Sequence, residues 1–262
     1  MEQIPLEIER NGPVAFVKLN RPEVHNAFDA RTIRELSEAF SNLAREEAVR
    51  VLVLSGEGKN FCAGADVNWM KSSIHFSAAE NEKDARDLHE MLGALYRFPK
   101  PTVARVHGAA FGGGVGLISG VDVAIAASDA LLSISEVRLG ILPAVISPFV
   151  TRKIGVANLR TYGLSAKKFS AEEAFRIGLV QEVVPDSELD AAVDRWVNLF
   201  LEGGPHAQAT LKVLTEETYG LGITQTSKQT VKTIAKIRTG EEGQEGLKAF
   251  LEKRPPTWRT KR

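Results

Sequence analysis

The feature that most restricts this chain is the glycine-dense run at residues 107–116, HGAAFGGGVG, set between two β-rich stretches. Thr102–Val106 reads as one strand, and Val121, Val123 and Ile125 alternate as the next. A helix opened by these glycines must end by Gly120. That leaves barely two turns, too short for the usual crossover of a doubly wound sheet. Gly114, Gly116 and Gly120 imitate a dinucleotide fingerprint, with Glu136 standing about 20 residues on, where a ribose-binding acid belongs. The short spacing argues against that nucleotide fold. Glycines at a helix start also expose N–H groups at the positive end of its dipole, a place for an anion or for an oxygen that becomes anionic. The same run reads equally well as a packing turn.

Around this run the chain alternates strand-like and helix-like stretches. Residues 5–9 and 14–18 read as strands flanking the Asn11-Gly12 turn signal. Asp29 is placed as an N-cap ahead of Ile33, Leu36, Phe40 and Leu43, one face of a helix. Residues 49–54 (VRVLVL) form a β-rich run. Leu88, Met91, Leu92 and Leu95 mark another helical face, stopped by Pro99-Lys100-Pro101. Residues 131–135 read as a buried strand and 178–184 as a last short one. Residues 187–254 then read as a series of amphipathic helices. The pattern predicts an α/β core over residues 1–186 and a helical region over 187–262. With no Pro- or Ser-rich linker between them, the helices are expected to pack on the core or on a neighbouring subunit.

Composition closes off other classes. The 262 residues hold 33 Lys plus Arg and 33 Asp plus Glu, a net charge of zero, with 44% hydrophobic residues. Such a chain is too apolar for disorder, and its charge balance argues against a nucleic acid held by bulk electrostatics. Cys62 is the one cysteine, so an intrachain disulfide is impossible and a reducing compartment is expected. No apolar run reaches the roughly 20 residues needed to cross a bilayer. The first ten residues lack the apolar core of a secretory signal. The expectation is a cytoplasmic protein with no membrane partner. The five histidines are scattered without metal-ligand spacing, so no metal is predicted. No G-x-S-x-G elbow or phosphate-binding P-loop is present.

Two further clusters carry possible chemistry. Residues 61–66 (FCAGAD) follow the VRVLVL strand, and their small side chains let a ligand approach the backbone, or else form a tight turn. Cys62 within them reads as a small buried hydrophobe. Residues 135–143 (SEVRLGILP) place Glu136 at the end of a strand that reads as buried. A carboxylate there needs a partner or a job. Arg138 is the alternative, as its ion-pair partner.

Taken together these segments resemble the enoyl-CoA hydratase/isomerase (crotonase) family over nearly the whole chain. The similar segments are LNRPEVHNA at 19–27, FCAGADV at 61–67, GGGVGL at 112–117, SEVRLGILP at 135–143 and EGLKAFLEKRPPTW at 245–258, in the family's order. The resemblance implies a spiral of ββα units with a C-terminal helical trimerisation region, giving a homotrimer or a hexamer built as a dimer of trimers. It also implies an acyl-CoA thioester substrate, with coenzyme A part of the substrate and no separate cofactor. By the same carry-over the oxyanion hole is the backbone N–H of Ala65 and of Gly113, flanked by Gly112. Gly113 would let the backbone approach the thioester oxygen with no Cβ in the way. Ala63, Asp66, Val67 and Asn68 fall along the CoA pocket. Val24 and His25 border the pantetheine and ADP portion, and Phe250 and Lys253 reach CoA from a neighbouring subunit. Glu23 stands where the family often has Lys.

The acid/base pair departs from the family pattern. Well-studied hydratases of the family carry two glutamates. The second matches Glu136 and the first falls on Gly116. Ala144 stands where the dienoyl isomerases carry an Asp. The combination looks most similar to a bacterial hydratase subgroup assigned to 3-methylglutaconyl-CoA and other branched or carboxylated enoyl-CoAs, as in leucine degradation. Hydration through Glu136 is therefore expected first. The alternatives are a 3-enoyl to 2-enoyl-CoA isomerase using Glu136 alone and a non-catalytic acyl-CoA-binding paralogue. Arg138, two residues from Glu136 and on the same face if the strand continues, is the candidate to recognise a substrate carboxylate. Residues 71–80 are expected as a loop over the acyl pocket.

Overall fold

The computed structural model describes residues 4–259. The ends of the expected core and helical region, residues 1–3 and 260–262, lie outside them. In chain order the elements are β1 (Leu6–Asn11), β2 (Val14–Leu19), α1 (Ala30–Arg45), β3 (Val51–Gly56), α2 (Val67–Ser73), α3 (Ala78–Tyr96), β4 (Thr102–Val106), β5 (Ala109–Phe111), α4 (Gly113–Gly120), β6 (Val123–Ala127), β7 (Leu131–Ser133), α5 (Ser147–Ser165), β8 (Phe169–Ser170), α6 (Ala171–Arg176), β9 (Glu182–Val184), α7 (Leu189–Glu202), α8 (Pro205–Thr218), α9 (Ile223–Thr239) and α10 (Glu241–Leu251). A six-stranded sheet runs β1-β2-β3-β4-β6-β9, and a three-stranded one runs β5-β7-β8. Among the described residues only the β1–β2 and β7–β8 pairs are antiparallel.

Strand alternation explains the layering. In β3, Leu52 and Leu54 face a core filled by Ile33, Leu36, Phe40, Met91, Leu92, Val115 and Leu117 from α1, α3 and α4. Val51 and Val53 face the opposite side, where Leu189, Ala192, Val193, Val197 and Leu201 of α7 close over the sheet. A parallel strand covered on both faces reads as a continuous apolar run, as residues 49–54 do. The helix α7 is therefore packed as part of the sheet's own core. By contrast α8 and α9 bury no residue completely and α10 buries only Ala249.

Several boundaries move from the sequence reading. The strand expected at 131–135 stops at Ser133, and Glu136 opens a short 3-10 turn, Glu136–Leu139. The strand expected over 178–184 is confined to β9. Residues 71–80 are no loop. They comprise the end of α2, a short turn and the start of α3, where Ser77 and Glu80 form a reciprocal capping box. The helix α4 does end at Gly120, as the short spacing requires.

Candidate active site

Three chain segments meet at one cavity. The first is fixed by Arg21 and Asn26. The Asn26 side chain accepts from the Arg21 N–H and donates to the carbonyls of Glu57 and Asn60. This holds His25 and Asn26 in left-handed backbone conformations, φ 55° and 57°. The His25 carbonyl in turn accepts from the Ala63 N–H at 3.0 Å. Val24 and His25 are thus brought beside Ala63, with His25 exposed and Val24 half-buried.

The second segment is the start of α2. Asp66 is buried, and its carboxylate caps the helix by accepting from the N–H groups of Asn68 and Trp69. Arg21 donates to the same carboxylate at 2.9 Å and pairs with Asp29 at 3.1 Å. Asp66 is therefore occupied by these contacts and is not among the residues that line the cavity. Val67 and Asn68 are exposed beside it, also outside the lining. Phe28 and Ala65 form a parallel bridge in which the Phe28 N–H donates to the Gly64 carbonyl and the Asp66 N–H to the Phe28 carbonyl. That pattern uses the groups on either side of Ala65 and leaves the N–H of Ala65 itself with no acceptor among the described residues.

The third segment is the turn into α4. The Gly112 N–H continues the β5–β7 ladder by donating to the Ser133 carbonyl. Gly112 then turns with φ 48° and has no side chain to cap the helix. The N–H of Gly113, first in the helix, is left free at the positive end of the dipole. A Cβ at Gly113 would fall 2.6 Å from Phe28 Cε2. Its absence admits the Phe28 ring, which differs from the expected role of clearing the way for a substrate. A Cβ at Gly64, φ 93°, would lie 3.7 Å from the Gly113 nitrogen, so the two free N–H groups belong to adjoining backbone.

The cavity measures about 410 Å³ and is lined by Ala63, Ala65, Gly112, Gly113 and Glu136 together with parts of α2, α3 and residues 139–146. Glu136 Oε1 would stand 3.2 Å from a Cβ at Gly112, so glycine there is what admits the carboxylate. Glu136 Oε2 is buried and has no hydrogen-bond partner among the described residues. Burial pushes the Glu136 carboxyl above the ordinary value, partly offset by the N–H groups of Glu136 and Ser135. No ion pair joins it to Arg138. The strand on which Arg138 would share a face with Glu136 does not exist. In the 3-10 turn Arg138 is exposed and absent from the lining.

Gly116 also lies off the cavity. It is buried, and a Cβ there would fall 2.6 Å from Ile146 Cγ2 and 3.4 Å from Leu92 Cδ1. Ile146, which does line the cavity, covers it. Phe250 and Lys253 sit exposed at the end of α10 and do not line this cavity in a single chain. Cys62 is fully buried, its thiol pushed up to about 12, which leaves it a packing residue. Among the described residues no His, Cys, Asp and Glu cluster could hold a metal ion, and no helix is long and apolar enough to cross a membrane.

Sequence reasoning missed Trp69, Asp84 and Ile146, all in the cavity wall. For Asp84 a signal existed. Asn81, Asp84, Ala85 and Leu88 continue the helical spacing of Leu88, Met91, Leu92 and Leu95 about two turns further toward the N-terminus. A polar residue on the extension of an apolar stripe marks a wall that faces a cavity rather than the core.

Residues 9–261 match the family model described as enoyl-CoA hydratase/isomerase. A crystal structure of an enoyl-CoA hydratase from Shewanella pealeana superposes with a TM-score of 0.95 at 41% identity, covering 98% of this chain and 97% of that one. Enoyl-CoA hydratase ACTT6 of Alternaria alternata is 35% identical over 81% of this chain and 70% of its own length. Carnitinyl-CoA dehydratase of Salmonella typhi is 31% identical over 97% of this chain and 98% of its own. With two free backbone N–H groups and one buried carboxylate on a shared cavity, and with these likenesses over its full fold, the chain belongs to the enoyl-CoA hydratase/isomerase, or crotonase, family.

Proposed function

We propose that the protein is an enoyl-CoA hydratase that adds water reversibly to the 2,3 double bond of an acyl-CoA thioester. The observation that carries the reading is the unpartnered Oε2 of Glu136 on the same cavity as the free N–H groups of Ala65 and Gly113. The thioester oxygen takes both N–H groups. Glu136 accepts a proton from water as the oxygen attacks C3, and the electron pair of the double bond moves onto the thioester oxygen as an enolate. Two preorganised donors, one at a helix N-terminus, favour that charge by several kcal/mol. Glu136 then returns its proton to C2, so one water is added and the carboxylate is regenerated. Its raised basicity suits a group that must take a proton and give it back.

Ala63, Val24 and His25 border the CoA moiety in this reading, with Val67 and Asn68 at its outer edge. Phe250 and Lys253 complete it from the next subunit of a trimer or of a dimer of trimers. The acyl chain lies against Trp69, Leu88, Leu142 and Val145, an apolar wall that suits a branched chain. The cavity lining has no Lys, Arg or His among the described residues, which speaks against a carboxylated acyl chain.

One observation favours a second reading. Ile146 over Gly116 makes the position of the missing first glutamate apolar, so nothing there helps to hold water. A 3-enoyl to 2-enoyl-CoA isomerase needs only Glu136, which takes a proton from C2 and returns it to C4. Mass spectrometry of 2-enoyl-CoA and 3-enoyl-CoA mixtures with the wild type and Glu136→Gln decides between them. A gain of one water, lost in the variant, supports hydration. Unchanged mass with a moved double bond supports isomerisation, and no turnover of any thioester returns the binding paralogue.

A further inference from the structure

We propose that Asp84 makes the acyl pocket a charge filter, which refuses acyl chains bearing a carboxylate and accepts neutral or cationic ones. This rests on the reading of the cavity as an acyl-CoA site. The cavity wall contributed by α2 and α3 carries Trp69 and Asp84, on the same cavity as Glu136 and residues 139–146. The two carboxylates are the charged side chains of the lining among the described residues. Asp84 has no ion pair of its own among them. Lys83, its neighbour on α3, reaches Asp87 at 2.7 Å instead. Burial and the nearby Asp87 push the Asp84 carboxyl above its ordinary value, while Lys83 and the Trp69 indole hold it down. The indole N–H is buried, and although it approaches Asp84 it completes no hydrogen bond to any described acceptor.

The wall therefore presents a half-buried carboxyl group with no ion-pair partner among the described residues, beside a donor that lacks a full partner. A third carboxylate brought in on the acyl chain meets Glu136 and Asp84 in a partly desolvated space, where like charges repel more than in water. A hydroxyl, an amide or a cationic headgroup relieves the same arrangement.

The test uses saturated acyl-CoA thioesters, which bind without reacting. They are three chains of equal length ended by a methyl ester, a carboxylate or a trimethylammonium group. Dissociation constants are measured by calorimetry on the wild type, Asp84→Asn, and Glu82→Gln, an exposed surface control on the same helix. In the wild type the carboxylate-ended chain is expected to bind at least ~10-fold more weakly than the ester, and the ammonium-ended chain at least as tightly. Asp84→Asn is expected to narrow the carboxylate-to-ester ratio by ~5-fold or more, and Glu82→Gln to leave it within about twofold. Equal binding of the three chains, or a ratio that Asp84→Asn does not move, overturns the filter while leaving the thioester site intact. Failure of all three to bind overturns the reading beneath it as well.

Discussion

The Glu136 carboxylate faces two demands that pull apart. Catalysis needs it ionised, and its surroundings favour the neutral acid because burial disfavours charge. A carboxyl whose folded value lies above its unfolded one stabilises the fold fully below the unfolded value, and loses that contribution as pH rises through the folded one. Glu136→Gln mimics the neutral acid. It is expected to melt above the wild type at neutral pH, with the difference closing as pH falls below the ordinary carboxyl range. The same variant is expected to lose about 10²–10⁴ in kcat. Calorimetric scans across pH, paired with the thioester assay, check both, and a variant that is both inactive and less stable at neutral pH contradicts the assignment. Gly116 allows a complementary experiment. Gly116→Glu alone drives a side chain into Ile146 and is expected to cost ~1–3 kcal/mol with no gain in activity. Ile146 is the N-cap of α5, where glycine is tolerated. The double variant Gly116→Glu, Ile146→Gly is expected to admit the second carboxylate and raise hydration at least ~10-fold over Gly116→Glu.

At the scale of elements, α4 and its approach decide where the free N–H groups point. Gly113→Ala places a methyl 2.6 Å from the Phe28 ring, which is itself fixed through the bridge to Ala65. The ring or the helix start must move, so the variant is expected to lose ~1–3 kcal/mol in urea unfolding and at least ~10-fold in kcat/KM. Wild-type activity in a folded Gly113→Ala would remove Gly113 from the mechanism. How far such elements can be read from sequence depends on how local their causes are. The Asp29 cap is local, accepting from the Thr32 N–H at 2.7 Å, and the sequence shows it. The Asp66 cap is equally local, but its tie to Arg21 spans 45 residues and leaves no mark in the local sequence. The Glu136 carboxylate was legible as buried and in need of a role. The 3-10 turn that carries Arg138 away from it was not, because four residues leave no periodicity to read. Ile146 over Gly116 is a contact between α4 and the start of α5 that no spacing encodes.

At the scale of the whole molecule the unusual part is the C-terminal third. The α7 helix buries its apolar face on the sheet, whereas α9 and α10 leave large apolar side chains mostly exposed. Ile223, Val231 and Ile234 form one stripe of α9, 92%, 63% and 52% exposed, and Phe250 and Leu251 end α10 at 81% and 78%. Apolar exposure on this scale marks a contact surface, and further copies of this chain are the occupant proposed above. Sedimentation is expected to give a mass several times the 28.5 kDa of one chain. Val231→Asp with Ile234→Asp places charge in the stripe and is expected to shift the species toward monomer. Neither position lines the cavity that holds Glu136, Ala65 and Gly113, so kcat is expected to change little. If Phe250 and Lys253 of one copy hold CoA for the next, the monomerised form loses binding first. Its KM for the thioester is expected to rise ~10-fold or more, with kcat changed by less than about threefold. A monomer with unchanged KM separates the helical region from substrate binding, and a wild type that sediments as one chain removes the shared site altogether.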